Sequence, residues 1–309
     1  LALAVTLALG SGALNAAQRN FVGPSSFWDV VANWTGLILP GVADDALLGG
    51  FDTEIRSNFT INSFSGTGAL TVSASTLSFG AASSIGALNL TGGALSGTGD
   101  LQVAGASTWT SGTLTGAGST TFAGNLAINT GSTKDLNTGR VVVLNGSTTW
   151  ANTATDNGRI RTGNGVTLNN NGTWLDQNNF TNQISPDFGG APSTFVNAGT
   201  YTKAGAATTT IAIGFNNSGA VNVNTGTLVL SGGGTSNGGS FSVASGATLE
   251  FGGGTHTLSN IAAGTGSGRM LASGGTVNAA GTFAFSGVLG ATSGGTFNVN
   301  GTATAGGLQ

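Results

Sequence analysis

The chain has 309 residues, of which 6% are charged against roughly a quarter in an ordinary soluble domain, and its formal net charge is −3. So neutral a surface offers no cluster of Lys and Arg to hold nucleic acid or an anionic lipid surface. With no cysteine, disulfides, thiol nucleophiles and cysteine-ligated zinc are excluded together. Glycine, at 56 residues, is frequent enough to raise the question of disorder, but Val, Leu, Ile and Phe return in alternation along the chain, which a disordered segment lacks.

In chain order, the opening LALAVTLALGSGALNAAQ is an apolar run followed by small residues, the pattern of a secretory signal and its cleavage zone, and residues 1–17 are read as a signal-peptide remnant. No later run reaches the ~18 apolar residues of a membrane helix. The strand-like runs are too short, and aromatic residues too few, for an outer-membrane barrel. No membrane insertion of the body is therefore expected. Residues 18–60 carry Trp28, Trp34, Pro40 and the pair Asp44 and Asp45 outside any repeat. They are expected to form an N-terminal cap, because an uncovered strand edge invites aggregation.

From residue 61 to 309 the sequence repeats. SGGTVNAAGTF at Ser273 returns as SGGTFNVNGTA at Ser293, VNVNTGTLVLSGGG at Val221 as FSVASGATLEFGGG at Phe241, and ALTVSASTLS at Ala69 as ALNLTGGALS at Ala87. A period near twenty residues, holding two or three short strands, defines the coil of a parallel β-solenoid in which each coil stacks on the last. In VNVN, Val221 and Val223 are expected inside and Asn222 and Asn224 outside. Stacked like charges would repel, whereas stacked Asn and Thr hydrogen-bond, so the architecture itself explains the neutrality. Glycine is expected at the corners, where a positive φ carries no Cβ penalty. The pattern is still running at GTATAGGLQ, and the chain is expected to continue beyond Gln309.

Charge is densest between Lys134 and Lys203, where WLDQNNFTNQISPDFGGAPSTF is expected to leave the wall as an excursion loop over about 174–195. Trp174, Asp176, Phe180 and Phe188 are the candidate ligand contacts, since aromatic rings among amides suit sugar stacking and hydrogen bonding. An alternative is catalytic: Asp156, Arg159, Arg161, Asp176, Asp187 and Lys203 would converge on one wall as in polysaccharide-cleaving β-helices. His256, the one imidazole, lies in a Thr-His-Thr alternation that suits a strand face better than a catalytic triad. The glycine-rich phrases lack the aspartates of calcium repeats, and GTGD at Gly97–Asp100 stands alone, so no metal or cofactor is expected. An ice-binding wall would need unbroken Thr columns, but Thr304 aligns with Ala284 although Thr302 aligns with Thr282.

FWDVVANWTG followed by PGVADDALL resembles the Trp-rich opening unit of large bacterial cell-surface β-strand-repeat proteins. LSGTGDLQVAGASTWTSGTLTGAG and the phrases from Phe215 to Ser259 resemble their body repeats. The group includes autotransporter passengers and filamentous-haemagglutinin-like adhesins. The resemblance implies a bacterial, secreted or outer-surface protein with an all-β, right-handed parallel β-helix used for adhesion or as a stalk. The expected function is accordingly non-enzymatic, with a glycan, extracellular matrix or like chains as partner. A β-helix lyase or hydrolase, and then an ice-binding solenoid, are the alternatives.

Overall fold

The structure, a computed structural model, describes residues 16–129, 131–154, 158–260, 264–292 and 294–309. Most of the signal-like stretch, residues 1–15, and Asp156 lie outside the described residues.

Up to Ala272, strands of two to five residues follow one another with parallel partners in the neighbouring coils, and every third strand belongs to the same wall. The last two, Thr276–Ala291 and Thr296–Leu308, are longer and run across all three walls. The first wall runs through Asp45–Gly49, Leu101–Val103, Val141–Leu144, Thr194–Asn197 and Ala220's predecessor Gly214–Asn217. The second includes Ala69–Val72, Ser107–Trp109, Thr173–Asp176, Thr200–Lys203 and Ala220–Val223. The third includes Thr76–Phe79, Lys134–Leu136, Asn182–Ser185 and Thr208–Ile211. The result is an all-β parallel solenoid of about 13 turns, roughly 60 Å long at one strand spacing per turn.

The repeats found in the sequence are the ladder register. Ala69 pairs with Ala87, Val221 with Phe241, and Thr276 with Thr296, each one coil apart. Val221 and Val223 are fully buried. Alternation along each strand sends one set of side chains into a single continuous core, where burying a Val, Leu or Phe contributes about 1.5–3 kcal/mol. The coil lengthens in the middle: hydrogen-bonded neighbours one coil apart are separated by 18 residues near Gly80, 27 at Asn170 and 20 at Asn197.

Residues 18–60 enter the same ladder. Gln18–Asn20 pairs in parallel with Asp45–Leu47, and Phe27 bridges Glu54. The remainder of this first turn is irregular, with two short 3-10 turns at Val31–Asn33 and Thr35–Leu37. Trp28 and Trp34 pack edge-on at 4.9 Å and fill the core beneath the second coil, and the Trp34 indole N–H donates to the Trp28 carbonyl at 2.8 Å.

One corner is built from stacked glycines. Between the first and second walls, Gly68, Gly86, Gly105, Gly124, Gly146, Gly172, Gly199, Gly219 and Gly239 occupy the same position in successive coils. A Cβ on Gly105 would lie 2.7 Å from the Gly86 carbonyl oxygen, and one on Gly124 2.5 Å from that of Gly105. The expectation that corner glycines serve a positive φ is therefore corrected for this edge: close approach of the backbone below demands them. At the corner between the third and first walls the expected reason does apply, with φ of 108° at Gly97 and 84° at Gly116.

Candidate functional site

The densest chemistry lies where the coils are longest, and the solenoid divides it between the inside and the outside. Asp176 and Lys203 occupy the last inward positions of Thr173–Asp176 and Thr200–Lys203, stacked as register partners on the second wall. Both are fully buried. Asp176 Oδ1 accepts from the backbone and side-chain amides of Asn178 at 3.0 and 2.7 Å, and Oδ2 accepts from the Tyr201 hydroxyl at 2.9 Å. Burial, with Asp176 beside it, raises the Tyr201 pKa well above the ordinary phenol value. Burial lowers that of Lys203, against the opposing pull of Asp176.

Outside, on the third wall, Arg161 stacks on Asp135 and donates to both its carboxylate oxygens at 2.8 and 2.7 Å. That pairing raises the Arg161 pKa further. Arg159 meets Asp187 at 2.7 Å. Among the described residues, the charges grouped by sequence thus fall into a buried pair and two surface pairs, one of them completed by Asp135, rather than one wall of carboxylates.

The four candidate ligand contacts are likewise separated. Trp174 lies in the core, 5.2 Å from Phe195 and stacked at 6.3 Å on Tyr201, and Asp176 faces the interior network. Phe180 is exposed, its backbone pinned by Asn152. Phe188 is half-buried, with the Arg161 guanidinium 5.1 Å above its ring. The stretch expected to leave the wall contains strands Thr173–Asp176 and Asn182–Ser185. Only the turn after Ser185 is enlarged, and it is zipped to the coil below: Phe188 N donates to Thr162 O, Asn164 N to Gly189 O and Gly165 N to Ala191 O.

His256 points inward, 2% exposed, with Nε2 3.0 Å from the Gly253 carbonyl and its ring 4.8 Å from Phe251. Desolvation lowers its pKa, against two backbone hydrogen bonds that raise it. Asp100, of the GTGD phrase, accepts from Ser119 N and Oγ in the next coil, both at 2.8 Å, and these bonds hold its pKa below the usual carboxylate range. Among the described residues no group of three or more His, Asp or Glu is placed to hold a metal ion, and no helix is long and apolar enough to cross a membrane. The Thr302–Thr282 and Thr304–Ala284 alignments are register pairs, so that column is interrupted as the sequence indicated.

Two internal features escaped the sequence reading. Asn170, Asn197 and Asn217 form a buried ladder, with Asn170 Nδ2 donating to Asn197 Oδ1 at 2.7 Å and Asn197 Nδ2 to Asn217 Oδ1 at 2.8 Å. Asparagine one register apart at the end of three successive first-wall strands was the available signal. Arg140 is also fully buried. Its guanidinium donates to Thr120 Oγ1 at 2.9 Å and to the carbonyls of Ser119, Gly97 and Thr115 at 2.9, 3.3 and 3.4 Å. Desolvation lowers its pKa to about 10, with Asp100 opposing. Nothing in the local sequence distinguishes Arg140 from an exposed turn residue.

In comparison with known proteins, no family model, no curated protein and no solved structure matches the chain.

Proposed function

We propose that the chain is a non-enzymatic structural or adhesive rod, an adhesin or stalk working outside a bacterial cell, that presents its walls to a glycan, to matrix or to like chains. The observation that carries this reading is the use made of acidic groups. Each described carboxylate is bonded to an adjacent coil: Asp45 to Asn62 and Ser63, Asp52 to Ala69 N, Glu54 to Ser73, Asp135 to Arg161, Asp187 to Arg159 and Glu250 to Ser273 are examples. Acids spent on holding coils together serve a scaffold, whereas a general acid or base must reach a substrate. Most outward positions are neutral, as in Thr71, Asn89 and Thr108 of the second wall, where Thr108 Oγ1 donates to Asn89 Oδ1 at 2.9 Å. Such a surface suits many weak hydrogen bonds to a polymer or a neighbouring rod.

The test is to incubate the folded chain with plant, bacterial and host polysaccharides, measuring both retained protein and newly released chain ends. Retention without release is expected. Release that disappears in Asp135→Asn or Asp187→Asn would replace this reading with that of a polysaccharide-cleaving enzyme.

A further inference from the structure

The Asp176–Lys203 pair is placed for a reaction rather than for an ion pair alone. The two side chains point inward from adjacent coils, with Trp150 in register below and Val223 above. Lys203 Nζ lies 3.9 Å from Asp176 Oδ1, beyond hydrogen-bond length, and donates instead to the carbonyls of Asn178, at 3.5 Å, and Gly205. The oxygens of Asp176 are already held by Asn178 and Tyr201, and Asn178 Oδ1 accepts from Asn182 Nδ2 at 2.9 Å. Asp176, Asn178, Asn182, Tyr201 and Lys203 are all fully buried.

Two buried ions without a direct hydrogen bond between them do not offset the cost of burying them. Burial lowers the pKa of Lys203, which favours the neutral, nucleophilic amine. Stacking fixes the two groups as permanent neighbours, which replaces a bimolecular encounter by an intramolecular one. The reverse reaction, hydrolysis, needs water that the packed core excludes.

We propose that Lys203 and Asp176 condense to an amide that covalently staples two coils. The Nζ lone pair attacks Asp176 Cγ and forms the C–N bond. The oxygen of the tetrahedral intermediate at Oδ1 is held by the two Asn178 N–H groups. Nζ gives up two protons in all, one on becoming the amine and one after the attack. Both pass to Oδ2, the second relayed through the Tyr201 hydroxyl, and Oδ2 leaves as water. One C–N bond forms, one C–O bond breaks, and neither oxidant nor cofactor is needed.

The intact, unmutated chain tests this directly. Its denatured mass is expected to be lower by one water than the sequence requires. Trypsin is expected not to cut after Lys203, so that Asp176 and Lys203 stay in one peptide, Thr162–Arg269, that lacks one water. A full mass with normal cleavage after Lys203 would leave only an ion pair and overturn the proposal. Lys203→Met is expected to restore the full mass. Water loss persisting in that variant would place the dehydration at another residue and overturn it equally. Tyr201→Phe is expected to lower the stapled fraction in freshly folded protein, and an unchanged fraction would remove Tyr201 from the proton relay.

Discussion

Gly124 sits directly above Gly105, and the carbonyl oxygen of Gly105 occupies the space that a Cβ on Gly124 would need, 2.5 Å away. The same relation recurs up one edge of the solenoid, so this edge is where the walls come closest to a purely backbone-made seam. Replacing Gly124 or Gly172 by Ala must push two coils apart. Each is expected to destabilise by about 2–4 kcal/mol, the range of overpacked or strained backbone sites. Gly214→Ala, where the new Cβ would meet nothing closer than 3.6 Å, is expected to be neutral within about 0.5 kcal/mol. Urea midpoints at constant slope measure both.

Arg140 ties one corner together by donating to the carbonyls of Gly97, Thr115 and Ser119. Arg140→Met is expected to cost about 2–3 kcal/mol, because Thr120 Oγ1 and these part-buried carbonyls lose a charged donor. Arg140→Lys is expected to recover little, since a single ammonium cannot span the same fork of acceptors. Thermal melts of the two variants beside the parent chain decide this.

The asparagine ladder is replaceable as a set but not singly. Asn197→Leu alone removes one acceptor of Asn170 Nδ2 and the donor to Asn217 Oδ1, at an expected cost of about 2–3 kcal/mol. Asn170, Asn197 and Asn217 changed together to Leu continue the column of Phe122 and Leu144 below them. The triple variant is expected to be more stable than the single one, measured by urea denaturation.

Lys134 makes stability depend on pH in the alkaline range. Fully buried, with Nζ donating to the carbonyls of Asn129 and Ser132 at 2.8 Å, it has its pKa pulled by desolvation from 10.5 down to about 8. Between these values the unfolded chain holds a proton that the folded chain has lost, so stability rises as pH climbs from about 8 towards 10.5. Below the folded value both states are protonated and the full penalty remains. Lys134→Met is expected to remove this slope between pH 8 and 10, read from urea midpoints across that interval.

The solenoid was legible because stacking forces like residues into the same slot, and phrases such as those at Val221 and Phe241 preserve it. The units GALNLTGGALSGTGDLQVAG and ASTWTSGTLTGAGSTTFAG even end on the column glycines Gly105 and Gly124. The column itself stayed hidden because coil length drifts from 18 to 27 residues, which a search at one fixed period cannot follow. The candidate site was misread for a different reason. Trp174 and Asp176 sit among Asn and Gln in a stretch that looks like a polar loop. Yet inward and outward positions alternate there as elsewhere, and the widened coils admit amides and charges to the interior. Phe180 and Phe188 both lie in turns, Phe180 exposed and Phe188 half-buried beneath Arg161.

The largest insertions of the long coils enter at two of the three corners, after Trp150 and after Ser185, while along the glycine edge from Gly105 to Gly239 two or three residues separate the strands. New segments can therefore be grafted, or acquired by descent, along two edges of this prism without disturbing the coils they join. A peptide inserted after Pro186 would be carried as a lateral display, and the same peptide inserted beside Gly172 would split the rod.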